Sequence, residues 1–199
     1  PRSVPAAEGG ARARGAGGVR AHTGALLGLG VGTVAAAAIG FGARWTGLIL
    51  WRASRIAVVL DGAVARASVK ADFGGYLDIA CDFLFYGLIP MAFVWHDPLA
   101  NGAAGAWLLT SFYFNGASFL GYVMLADRHG KSTSAQGQKS LYYSNGILEG
   151  TETIVFFVLL CLFPTYFTIG AWLFGGLCFL TASLRLRAAS LIFLSHTKD

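Results

Sequence analysis

Three carboxylates in an apolar chain set the first question. Asp61 stands at the end of one apolar stretch, and Asp78 and Asp82 stand early in the next. Asp78 and Asp82 are four residues apart, so a helix puts them on one face, one turn apart. Such a pair repels itself unless a cation sits between its members. A carboxylate at membrane depth costs several kcal/mol unless it is paired or bound to a cation. Asp61 can approach the same point from the preceding helix. Three hard oxygen donors converging from two helices suit Mg²⁺ or Mn²⁺. The bland alternative is a buried carboxylate cluster that only pairs with Arg52, Arg55 or Arg66.

The surroundings of these residues carry more. The run Asp61-Gly62-Ala63-Val64-Ala65-Arg66 is followed by seven residues and then by Gly74-Gly75-Tyr76-Leu77-Asp78-Ile79-Ala80-Cys81-Asp82. This resembles the motif of the CDP-alcohol phosphotransferases (CDP-alcohol phosphatidyltransferases), which reads D-x-x-D-G-x-x-A-R, about eight residues, then G-x-x-x-D-x-x-x-D. Asp61, Gly62, Ala65, Arg66, Gly74, Asp78 and Asp82 match it at seven positions. The gap before Gly74 is one residue short, and Val58 stands where the motif has its first Asp.

The resemblance implies a six-helix membrane enzyme. It would move a phosphatidyl group from a CDP-alcohol, typically CDP-diacylglycerol, to an acceptor alcohol and release CMP, in phospholipid biosynthesis. Asp61, Asp78 and Asp82 would hold Mg²⁺ or Mn²⁺, and Asp82 would also take the acceptor's proton. Gly62 and Ala65 would be small where the nucleotide lies. Arg66 would contact phosphate or form a structural pair near the metal. Gly74 opens the next helix, whose N-terminal N–H groups and dipole favour phosphate. In the family the position held by Val58 is a metal ligand. That substitution motivates a second reading, a catalytically impaired relative that binds CDP-lipid or a partner. A third reading is a small ion- or proton-coupled transporter, for which carboxylates at midplane and a repeat would be expected. No repeat is visible in the sequence.

The elements that must position these residues follow from composition. The 199 residues are 55% hydrophobic and only 13% charged, with mean hydropathy +0.60. Soluble domains have about 25% charged residues, so the chain reads as an all-α integral membrane protein. Residues 1–20 are rich in Gly, Ala and Arg and read as a disordered basic tail. The stretch after it has the length of a full span rather than of a signal peptide. Residues 21–199 read as one domain of six transmembrane helices, over roughly 24–42, 45–67, 74–95, 104–126, 148–164 and 166–184. In the first, Gly24, Gly28, Gly32, Ala36 and Gly40 form a small-residue stripe that lets another helix approach closely. The stripe is compatible with a homodimer and equally with packing inside one bundle.

Asn115 and Ser118 read as helix–helix hydrogen-bonding residues, and Glu149 and Glu152 as acids at a helix N-terminus. Cys81, Cys161 and Cys178 read as small buried hydrophobes. His22, His129 and His196 read as interfacial. The net charge is +5, without a basic face interleaved with aromatics, so nucleic acid is not an expected partner. With the N-terminus in the cytoplasm, Arg2, Arg12, Arg14, Arg20, Arg66, Lys70, Arg128, Lys131, Lys139, Arg185, Arg187 and Lys198 fall on the cytoplasmic side, and only Arg44 falls in an outer loop. That orientation puts the motif at the cytoplasmic face, and the short loops suggest a bacterial inner membrane.

Overall fold

The computed structural model describes residues 27–54, 72–129, 148 and 150–193. Among them every regular element is helical. They are α1 (Leu27–Gly40), α2 (44–54), α3 (Asp72–His96), α4 (Pro98–Arg128), α5 (Gly150–Leu162), a short 3-10 turn (Pro164–Tyr166) and α6 (Phe167–Phe193). Among the described residues, three stretches are long and apolar enough to cross a membrane: Ile79–His96, Pro98–Arg128 and Pro164–Phe193. Leu27–Gly40 and Gly150–Leu162 are apolar but shorter. The chain divides into two compact units, Pro1–Ala92 and Phe93–Asp199. The boundary falls inside α3, just after Pro90, whose missing N–H removes one bond from the helical ladder.

In the first unit α1 and α2 form an antiparallel hairpin. Gly42 ends α1 at φ 87°. Its N–H donates to the Ile39 carbonyl at 2.9 Å, and the Ala43 N–H donates to the Ala38 carbonyl at 2.8 Å. This pair of bonds is the Schellman closure, which needs a left-handed residue and therefore favours glycine. The return is tight. A Cβ on Gly47 would lie 2.5 Å from Ile39 Cγ1 and 2.7 Å from the Ala35 carbonyl oxygen. Further along, Ser54 Oγ donates to the Gly28 carbonyl at 2.7 Å, buried. The small-residue stripe of α1 is thus used inside this unit. Gly28 takes Ser54, and the ring of Phe85 from α3 occupies the space a Gly32 side chain would need.

In the second unit α4 and α6 run parallel. Their contacts advance together along both helices: Asn101 with Thr168, Trp107 with Trp172 and Phe179, Asn115 with Arg185, and Tyr122 with Phe193. α5 runs the other way. Phe156 stacks on Phe174 at 4.1 Å, and Leu160 and Phe156 crowd Gly170. Chain direction therefore alternates from α4 through α5 to α6. The start of α4 is fixed locally: Pro98 occupies its first turn, and the Asp97 carboxylate accepts the Ala100 N–H at 3.0 Å. α4 therefore begins at Pro98, six residues before the apolar pattern suggests.

Rings fill the contact between α4, α5 and α6. Phe112 meets Phe157 and Phe174 edge-on, Trp107 lies against Trp172 and Phe179, and Phe93 from the last turn of α3 stacks on Phe167. Each such pair adds about 0.5–1.5 kcal/mol beyond its buried area. In lipid, where apolar burial alone gives little drive, shape-matched contact holds helices together. All three cysteines are buried, as their apolar setting suggests.

Candidate active site

α3 carries the part of the motif that the structure describes. Gly74, Asp78 and Asp82 are spaced four apart along it, which gives a rise of about 6 Å per step on one stripe. The helix begins at Asp72, so Gly74 lies in its first turn. Beside this stripe run Cys81, Phe85 and Ile89, all buried, with Phe85 set against Gly32. Tyr76, Ile79 and Leu84 are exposed on the rest of the helix. Asp82 is half-buried and is engaged by other groups of the protein. Packing of the Phe85 row against α1 thus fixes the rotation of the helix that carries both acids. Asp61, Gly62, Ala65, Arg66 and Val58 lie outside the described residues. No cluster of three or more metal-ligating side chains occurs among the described residues.

A second polar island lies in the other unit. Arg185 is only 5% exposed, although a cytoplasmic flank is expected for it from the sequence. α6 continues to Phe193 instead of ending near Leu184, so the residue points into a helix contact rather than out of the membrane. Its Nη1 donates to the Asn115 carbonyl at 3.1 Å, to Asn115 Oδ1 at 2.9 Å and to Ser118 Oγ at 2.7 Å. Its guanidinium carbon sits 5.5 Å from the centre of the Phe119 ring, a cation–π distance. Asn115 and Ser118 do join helices by hydrogen bonds, as expected, but their partner is an arginine. The sequence signal that could have found it is the 3–4 spacing of Asn115, Ser118 and Phe119 on α4 together with an Arg within one turn of an apolar run. Arg187, two residues on, is exposed. Glu152 lies in the first turn of α5 and is exposed, and His129 caps α4 at its exposed C-terminus.

No family model matches the sequence. The inner membrane protein YnjF of Escherichia coli (strain K12) is 42% identical over 160 residues, covering 80% of this chain and 78% of that protein. The chain belongs to the YnjF family. The fold has a solved counterpart outside close sequence range. The crystal structure of Mycobacterium tuberculosis phosphatidylinositol phosphate synthase (PgsA1) with CDP-DAG bound superposes with a TM-score of 0.60. It covers 91% of this chain and 92% of that one, at 19% identity. This YnjF relative therefore shares the fold of that phosphatidylinositol phosphate synthase, and it has apolar helices of membrane-crossing length.

Proposed function

We propose that this YnjF relative transfers a phosphatidyl group from a CDP-alcohol, CDP-diacylglycerol foremost, to an acceptor alcohol and releases CMP. The observation that carries the proposal is the register Gly74, Asp78, Asp82 on α3 in a chain with the fold of a CDP-DAG-bound synthase. The six-span count and a bacterial inner membrane with a cytoplasmic site belong to the same reading. It is supported by the parallel run of α4 and α6 with α5 between them and by the name of the YnjF relative.

The donor set fits Mg²⁺ or Mn²⁺, since Asp78 and Asp82 offer hard oxygen ligands one turn apart, with Asp61 contributed by the segment before α3. Held by Asp61, Asp78 and Asp82, such an ion would supply positive charge to the diphosphate. The protein's own residues do the rest. Asp82 takes the proton from the acceptor hydroxyl as its oxygen forms the new bond to phosphorus. The bond from that phosphorus to the CMP oxygen breaks, and CMP leaves with the electron pair. Gly62 and Ala65 leave room for the nucleotide, Arg66 meets phosphate, and the N–H groups around Gly74 face negative charge. A half-buried Asp82 suits a site at the membrane surface, where acyl chains stay in the bilayer.

Val58 supports the second reading, an impaired relative that keeps the scaffold and binds CDP-lipid or a partner. The test is CMP release from CDP-diacylglycerol by the purified protein with Mg²⁺ or Mn²⁺ and a panel of alcohols, with Val58→Asp assayed beside it. Release by the natural chain supports the enzyme and identifies the acceptor. Activity only in Val58→Asp supports the impaired relative. Inactivity of both would sink the CDP-diacylglycerol proposal.

A further inference from the structure

α1 carries no residue of the motif, yet α2 and α3 are both seated on it. α2 holds α1 at two places. Gly47 lies against Ala35 and Ile39, and the buried Ser54 hydroxyl donates to the Gly28 carbonyl at 2.7 Å. Gly32 stands between those two places, and there the Phe85 ring of α3 fills the space that a side chain would need. Because α2 fixes α1 on both sides of position 32, a Cβ added there is absorbed by α3 and not by α1.

On α3 that contact lies close to the acids. At 3.6 residues per turn, Asp78, Asp82, Phe85 and Ile89 fall within a sector of about 60°. Phe85 and Ile89 are buried, whereas Tyr76, Ile79, Leu84 and Met91 are exposed on the remaining face. Asp82 is three residues from Phe85, about 4.5 Å along the axis. A ring displaced by a methyl at position 32 therefore turns or shifts the part of α3 that carries Asp82. Two carboxylates one turn apart hold a cation only while their oxygens are kept in place against their mutual repulsion, and the groups behind them do that.

We propose that Gly32 and Phe85 are positioning residues for divalent-cation binding at Asp78 and Asp82, and that the size of residue 32 sets the affinity. The proposal rests on the reading of those acids as cation ligands. The test measures Mn²⁺ binding to the full chain in detergent by electron paramagnetic resonance, with thermal unfolding giving the folded fraction. The natural chain is compared with Asp82→Ala, Gly32→Ala, Phe85→Leu and the double variant Gly32→Ala/Phe85→Leu. Binding in the natural chain should depend on Asp82. It should weaken roughly tenfold in folded Gly32→Ala, the lower end of what changes behind a metal ligand cost, and by less in Phe85→Leu. In the double variant the new methyl occupies space that the ring has left, so affinity should rise above that of either single variant. A merely structural seat would lower the folded fraction and leave the affinity of the folded chains alone. Unchanged affinity in folded Gly32→Ala overturns the proposal. If Gly32→Ala does not fold, a double variant that binds no more tightly than Phe85→Leu overturns it. Mn²⁺ binding that is absent or independent of Asp82 in the natural chain overturns the cation reading, and the proposal with it.

Discussion

Two polar islands interrupt the apolar helices, and they are built on opposite principles. On α3, Asp78 and Asp82 follow one another on the same helix, one turn apart, with the buried row of Cys81, Phe85 and Ile89 beside them. Between α4 and α6, Arg185 of one helix finds Asn115 and Ser118 on the other, about seventy positions earlier. The first arrangement places like charges together, which costs energy unless something else binds there. The second closes on itself, since the cation is met by oxygen acceptors and an aromatic face within the same protein. Like charges gathered at one point suit a site for ligands. A cation met by internal acceptors suits a joint between helices. The expected consequences of mutation therefore differ in kind: loss of reaction in one place, loss of stability in the other.

The contrast is sharpest at Asp78. Replacing it with Ala should lower CMP release by about two orders of magnitude or more and weaken the dependence on Mg²⁺, with little change in thermal stability. A melting temperature that falls in parallel with activity would break the distinction. At the other island, Arg185→Ala should destabilise by about 3 kcal/mol, because Asn115 Oδ1 and Ser118 Oγ lose a charged donor in a buried place. Thermal unfolding in detergent measures it. Arg185→Lys should recover only part of the loss, since an ammonium lacks the guanidinium's fixed fork.

Smaller effects test the packing that sets the rotation of α3. Gly32→Val would force the Phe85 ring out of its seat against α1, at about 1–3 kcal/mol. Coupling it with Phe85→Leu should return part of that. If the two changes simply add, Phe85 is not what Gly32 is small for. Ser54→Ala removes the bond to the Gly28 carbonyl and should cost about 0.6 kcal/mol, in line with interhelical hydrogen bonds in membranes.

The same contrast explains what the sequence could and could not reveal. The α3 acids were readable because helical spacing is local: residues 74, 78 and 82 fall on one stripe whatever surrounds them. The stripe of Gly28, Gly32 and Ala36 was readable for the same reason, although not which neighbour would fill it. Helix ends were less so. α4 starts at Pro98 because Asp97 caps it, a local polar signal that the hydropathy pattern overlooks. α6 runs past Leu184, and Arg185 on it is hydrogen-bonded through Nη1 to Asn115 and Ser118 of α4. Its acceptors lie on another helix, and their 3–4 spacing marks a polar face on α4 without naming the partner that meets it. Residues 55–71, which carry Val58, Asp61, Gly62, Ala65 and Arg66, lie outside the described residues, so those assignments stand on the motif resemblance.

The most direct measurement of the central claim is CMP release by the natural protein and by Asp82→Asn, assayed side by side with CDP-diacylglycerol, Mg²⁺ and an accepted alcohol. Asn keeps the size and loses the base. The account predicts metal-dependent release in the natural protein and a loss of about 10²–10⁴-fold in the variant, with unfolding unchanged. Equal rates in the two proteins would contradict it and remove Asp82 from the reaction.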